Sequence, residues 1–100
     1  MDLNKLMQQA GALQKQLEET GKQIGEMEFE AEASNGLVKV TVNGDSKVLK
    51  VTIDESILNK EDKEMIEDLL MIAVNNALSK VEEYKKDAYG AMGSSLGLPF

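Results

Sequence analysis

The chain has 100 residues, a formal net charge of −7, no cysteine and no histidine, which suits a single domain with one modest core. Without cysteine there are no disulfide staples or thiolate metal sites. Without histidine, zinc sites and Ser-His or Cys-His nucleophile systems lack their usual members. Aromatic residues are limited to Phe29, Tyr84, Tyr89 and Phe100, so Leu, Val, Ile, Ala and Met must fill the core. The start, Met1-Asp2-Leu3-Asn4-Lys5, lacks the basic-then-apolar layout of a signal peptide. The longest apolar run, Leu69 to Val74, falls far short of the roughly 20 residues that span a bilayer. A soluble, cytoplasmic protein with no membrane partner is expected.

Charge is unevenly spread. Residues 1–25 and 80–100 are each balanced, while the acidic excess lies at Glu26, Glu28, Glu30 and Glu32 and again at Asp54, Glu55, Glu61, Asp62, Glu64, Glu67 and Asp68.

The first element is a helix over about residues 2–25. Leu3, Leu6, Ala10, Leu13, Leu17, Thr20 and Ile24 recur at alternating steps of three and four, a heptad seam sustained over three repeats. Asp2 is its expected N-cap. Gly11, Gly21 and Gly25 each cost about 1 kcal/mol of intrinsic helicity relative to Ala, so packing must hold this helix. The opposite face carries Gln8, Gln9, Gln14, Gln16 and Gln23 with Lys15 and Lys22, which a solvated face explains without any function.

Three strands follow, at about 26–34, 37–42 and 47–53, punctuated by Asn35-Gly36 and Asn43-Gly44. Asn-Gly between alternating apolar residues is the strongest short-range hairpin signal, because both residues tolerate positive φ. A turn at Asn35-Gly36 pairs Ala33 with Val38, Ala31 with Val40 and Phe29 with Val42, so the apolar partners share one face. For the second turn a two-residue loop sets Lys47 against Val40. A four-residue loop over 43–46 instead sets Leu49 against Val40 and Val51 against Val38, and this longer loop is expected.

After Asp54, Ile57 and Leu58 are expected to plug the sheet edge. Asn59 is the expected N-cap of a second helix over about 60–89, which buries Ile66, Leu69, Leu70, Ala73, Ala77, Val81, Tyr84 and Ala88. Acidic residues early in this helix and Lys80, Lys85 and Lys86 late suit its dipole. Residues 90–100, with three glycines and one proline, read as a flexible tail.

The pattern is α-β-β-β-α, an α+β fold with a three-stranded antiparallel meander flanked by two long helices. Helices well over 30 Å long overhang strands of only about 23 Å. The overhanging seams, at Leu3 and Leu6 on one helix and Val81 and Tyr84 on the other, are therefore the expected interface of a homodimer with projecting helical arms.

Paired carboxylates such as Glu28 with Glu30, or Asp54 with Glu55, do not make an active site by themselves. Acid–base catalysis needs convergence in a cleft with perturbed pKa values, and alternating Glu on a polar strand face is an ordinary solubility device. Glu61, Asp62 and Glu64 match no compact metal-ligand loop. No enzyme activity, small-molecule substrate, cofactor or metal is expected.

The chain resembles the YbaB/EbfC family of bacterial nucleoid-associated proteins over nearly its whole length. The resemblance is carried by Asn4-Lys5-Leu6-Met7-Gln8-Gln9-Ala10, by Gly36-Leu37-Val38-Lys39-Val40-Thr41-Val42-Asn43-Gly44 and by Val51-Thr52-Ile53-Asp54. Glu67-Asp68-Leu69-Leu70, Ala73-Val74-Asn75-Asn76-Ala77 and the glycine-rich end with Leu98-Pro99 continue it. It implies a tweezer-shaped homodimer in the nucleoid, whose protruding helices contact duplex DNA, alter its conformation and influence gene expression. Arginine is absent, so bidentate base readout by that side chain has no basis here and phosphate contacts must come from lysine. The candidates on the two arms are Lys5, Lys15, Lys22, Lys80, Lys85 and Lys86, with Gln and Asn adding hydrogen bonds. Weak, salt-sensitive, sequence-tolerant binding is expected. The heptad-patterned helices leave a second reading open, a protein-interaction module without DNA.

Overall fold

A computed structural model describes residues 2–95, in the order α1 (Leu3–Glu26), β1 (Glu28–Ala33), β2 (Val38–Asn43), β3 (Val48–Ile53) and α2 (Lys63–Ser95), with two 3₁₀ turns at Glu55–Ile57 and Lys60–Asp62 before α2. The strands form one antiparallel sheet in the order β1-β2-β3. Alternation places Ala31 and Ala33 of β1 and Val38, Val40 and Val42 of β2 inward, where all five are buried. Ala73, Ala77 and Val81 of α2 cover them, and Phe29, Ile53, Ile66, Leu69, Leu70, Val74 and Leu78 pack at the margin. Two alanines in the centre of the helix face let its backbone approach the valines closely.

The first hairpin has the expected register, with Ala33 opposite Val38, Ala31 opposite Val40 and Phe29 opposite Val42. Asn35 (φ 56°) and Gly36 (φ 89°) both take positive φ, as a mirror-image tight turn requires. The second hairpin differs from expectation. Val40 faces Val51 rather than Leu49, and Val38 faces Ile53 rather than Val51. The physical reason is a shorter loop followed by a bulge. Asn43 N donates to Lys47 O at 2.9 Å, closing a three-residue loop whose last member, Ser46, has φ 65°. Val42 then pairs with Val48 and Thr41 with Lys50, leaving Leu49 as an extra residue. That extra residue restores the alternation, so Val51 and Ile53 lie on the inner face instead of Lys50 and Thr52.

The two Asn-Gly pairs play different roles. Gly44 does not have positive φ. Its N–H donates to Met27 O at 3.1 Å, and a methyl group built on it would overlap the Ile24 carbonyl. Asn43 Oδ1 accepts from the N–H groups of Asp45 and Lys47, each at 3.0 Å. The turn is thus self-locked and seats the C-terminal end of α1, where Ile24 and Gly25 are buried.

Beyond that seat α1 leaves the sheet. Asp2 caps it as expected, accepting from Asn4 N at 3.0 Å, and residues 2–12 are all exposed. A Cβ at Gly21 would meet the Tyr89 hydroxyl at 3.3 Å, so α1 crosses α2 there. The molecule measures 70 × 21 × 16 Å. About 40 Å of α2 up to Tyr89, continued by about 28 Å of α1 beyond Gly21, accounts for the long axis, and the short axes leave no room for a sideways arm.

Element limits shift from those expected, the strands by one or two residues. Glu26 ends α1 instead of starting β1. Asn59 precedes a 3₁₀ turn, with α2 starting at Lys63, and its amide donates to Asp62 Oδ2 at 3.0 Å rather than accepting from the backbone. Helix α2 runs through Gly90 to Ser95, in place of the expected flexible tail. Its contact with α1 at Tyr89 offsets the roughly 1 kcal/mol that glycine costs a helix. The rest of that expected tail, 96–100, lies outside the described residues.

Replacing Gly44 with Ala should destabilise the protein by at least about 2 kcal/mol through overlap with α1. Gly36→Ala, which imposes only a left-handed alanine, should cost about 1 to 2 kcal/mol. Urea unfolding of the two variants checks the order.

Candidate nucleic-acid interface

Lysines expected to meet DNA fall into three settings. Lys5, Lys15 and Lys22 lie along α1, all three exposed. Lys15 and Lys22 are seven residues apart and so share one face, about opposite the seam of Leu13, Leu17 and Ile24. Among the described residues the ion pair present is Lys63 with Glu67, at 2.7 Å, so these three ammonium groups are free to meet phosphate. Near the crossing of the helices, Lys85 and Lys86 line an open concavity with Asp87, Tyr89 and Gly90. Lys80 is different. Its Nζ donates to the Glu30 carbonyl of β1 at 2.6 Å, which ties it to the sheet.

The acidic excess lies on β1, in the middle of the rod, and around the start of α2 at its far end. Glu28, Glu30 and Glu32 are exposed on β1, and Asp54, Glu55, Glu61 and Glu64 surround the start of α2. Asp54 accepts from Ser56 N at 2.8 Å, and this hydrogen bonding holds its carboxyl below the ordinary value. The carboxylate caps the first 3₁₀ turn. A lowered folded pKa means that this small contribution is present above the unfolded value and is lost as pH falls through the acidic range. Among the described residues no cluster of acidic groups is placed to hold a metal ion, and no helix is long and apolar enough to cross a membrane.

The residues expected at the dimer interface do not form one surface. Val81 is 1% exposed, buried in this chain's own core against the sheet, so it cannot serve a partner. Leu3 and Leu6 are exposed far out on α1. Tyr84 stacks edge-on against Phe29, with ring centres 5.7 Å apart, and stays partly exposed. A larger uncovered apolar surface lies elsewhere, outside the expected set. On β3, Val48 and Val51 belong to the inner face yet are 49% and 43% exposed. Lys80 and Val74 lie three residues either way from Ala77, so they flank it on opposite sides. Since Lys80 reaches β1, Val74, Leu78 and Met71 must turn toward β3. The two groups border the side of the core that α2 leaves open, an apolar strip whose sequence signal is that α2 is apolar on more than one side.

Residues 1–96 match the profile of the YbaB/EbfC DNA-binding family. A nucleoid-associated protein of Francisella philomiragia is 45% identical over 98 residues, covering 97% of this chain and 87% of that protein. One from Psychrobacter is 41% identical over 103 residues, covering 99% of this chain and 93% of its own. An uncharacterized Helicobacter pylori protein of known crystal structure superposes with a TM-score of 0.79 at 28% identity, covering 92% of this chain and 97% of that one.

Val81→Ala should lower stability by about 2 kcal/mol, as removal of two carbons from a sealed core does, whereas Leu3→Ala should stay within about 0.5 kcal/mol. Thermal or urea unfolding distinguishes them, and equal effects would contradict the burial described above.

Proposed function

We propose, from the premise that this chain belongs to the YbaB/EbfC DNA-binding family, that it is a non-enzymatic, nucleoid-associated protein acting as a homodimer on duplex DNA. The observation that carries this is the separation of charge along the rod. Lys5, Lys15 and Lys22 stand free of ion pairs on an arm that leaves the sheet, and Lys85 and Lys86 lie where that arm crosses α2. The carboxylates around the start of α2 lie at the opposite end, and those of β1 lie between, beside α2 at Lys80. A net charge of −7 opposes DNA binding as a whole, but fields are screened over about 8 to 10 Å at physiological salt. Lys5 and Lys15 on the outer arm therefore meet phosphate with little opposition from the acidic start of α2, whereas Lys22, Lys85 and Lys86 lie nearer the carboxylates of β1.

Dimerisation doubles the lysines that one DNA segment meets. The surface best suited to it is the strip of Val48 and Val51 on β3 with Met71, Val74 and Leu78 on α2. Burying it between two copies removes apolar area from water at about 25 cal/mol per Å², and a two-fold contact presents the same patch twice. The arms of both copies then project from a shared β layer. Binding of this kind is directed at phosphates, with little sequence preference, and bends or bridges DNA by geometry. The relatives named as nucleoid-associated proteins support the same setting for this chain, at the bacterial nucleoid in the cytoplasm.

The exposed seam at Leu3, Leu6 and Met7 keeps a protein-interaction role as the competing account. Gel shifts with random duplex DNA at low salt separate the two. The wild type should shift DNA, and Lys15→Glu with Lys22→Glu should abolish the shift without altering the fold. In the single variants, the slope of log affinity against log salt should flatten by about 0.9 for each phosphate no longer neutralised. A wild type that never shifts DNA, or affinity independent of salt, favours the protein-interaction account. Val51→Asp should give a monomer by light scattering, whereas Leu3→Asp should leave the mass unchanged.

A further inference from the structure

The sheet has two edges, and they are not equivalent. β3 is uncovered and apolar on its inner face, while β1 is equipped against pairing. In an antiparallel sheet, alternate residues of an edge strand turn their N–H and C=O groups outward, and an edge left this way is a template for another chain. Lys80 reaches the Glu30 carbonyl from α2, so Glu30 belongs to the outward-facing set, and Glu28 and Glu32 share its parity. The middle acceptor of the edge is therefore already occupied, at 2.6 Å, by a residue 50 positions away.

A second guard lies in the side chains. Glu28, Glu30 and Glu32 project from the outer face of β1. If two copies joined β1 to β1 antiparallel with both α2 helices on one side, opposite residues would share a face. Registers that overlap the two strands well set Glu against Glu: Glu30 against Glu30 with Glu28 against Glu32, or Glu30 against Glu32. Like charges directly opposite destabilise strand pairing.

We infer that the β1 edge is closed to the β1 strand of a second copy of this chain, with Lys80 as its backbone cap and the Glu28, Glu30, Glu32 row as its electrostatic guard. Symmetric strand pairing is thereby left to the β3 side, and Lys80 acts as a positioning residue rather than a DNA contact. A second β1 added there must first displace the ammonium group and then place carboxylates against carboxylates. The inference rests on the dimer proposed above only for what lies at the other edge.

The experiment compares the full-length wild type, Lys80→Ala, Lys86→Ala and Lys80→Ala combined with Glu30→Thr. Weight-average mass is read by sedimentation equilibrium over a concentration series, with DNA gel shifts alongside and circular dichroism to verify helix content. Lys80→Ala should populate a species of about twice the wild-type mass as concentration rises. Adding Glu30→Thr should move that transition to lower concentration, and Lys86→Ala should keep the wild-type mass while weakening DNA binding. The inference is overturned if both Lys80 variants keep the wild-type mass at every concentration, whatever their DNA binding. A monomeric wild type would refute the proposed dimer without touching this comparison, because each variant is measured against that baseline.

Discussion

One helix cannot cover a three-stranded sheet, and most of what this molecule presents to its surroundings follows from that limit. Strands lie about 4.8 Å apart and a helix with its side chains is about 10 to 12 Å across. Helix α2 therefore seals β1 and β2, where Val38, Val40 and Val42 are fully buried, and leaves the inner face of β3 partly bare. A second helix packed on the same face would have closed the core. Instead α1 is seated at the end of the sheet and directed away from it. The uncovered strip on β3 and the free arm are two results of one packing arrangement.

The seat of α1 shows how little material sets a long-range feature. Gly44 meets the Ile24 carbonyl with no room for a side chain, and Asn43 locks the turn that presents it. A contact of two backbone segments, supported by Tyr89 at Gly21, thus directs an arm about 36 Å long. Because the arm continues the axis of α2, charge balance along the sequence becomes charge separation in space. The balanced first helix forms one end of the rod, and the acidic excess runs from β1 in its middle to the start of α2 at the other end.

The strand pattern was legible because a single hairpin with period-two alternation leaves few registers that keep apolar residues together. Ala31, Ala33, Val38 and Val40 identified their own partners. The second hairpin was not legible, because a bulge at Leu49 resets the alternation and nothing in Lys47-Val48-Leu49-Lys50 announces it. The lysines of the candidate interface could be named from composition, since no arginine competes with them. That Lys80 would be tied to Glu30 could not, because the two residues are far apart in sequence and meet only once α2 lies across β1. The same crossing took Val81 out of the expected interface and into the core.

What the sequence determined by itself is the order and kind of elements, the first register, the small-residue face of α2 and the family, all of which depend on local periodicity and short spacings. Only the tertiary structure decided which strand stays uncovered, where the first helix points and which charged groups are already engaged. These depend on the angle and offset at which elements pack, and that geometry is set by contacts between residues that no local pattern connects.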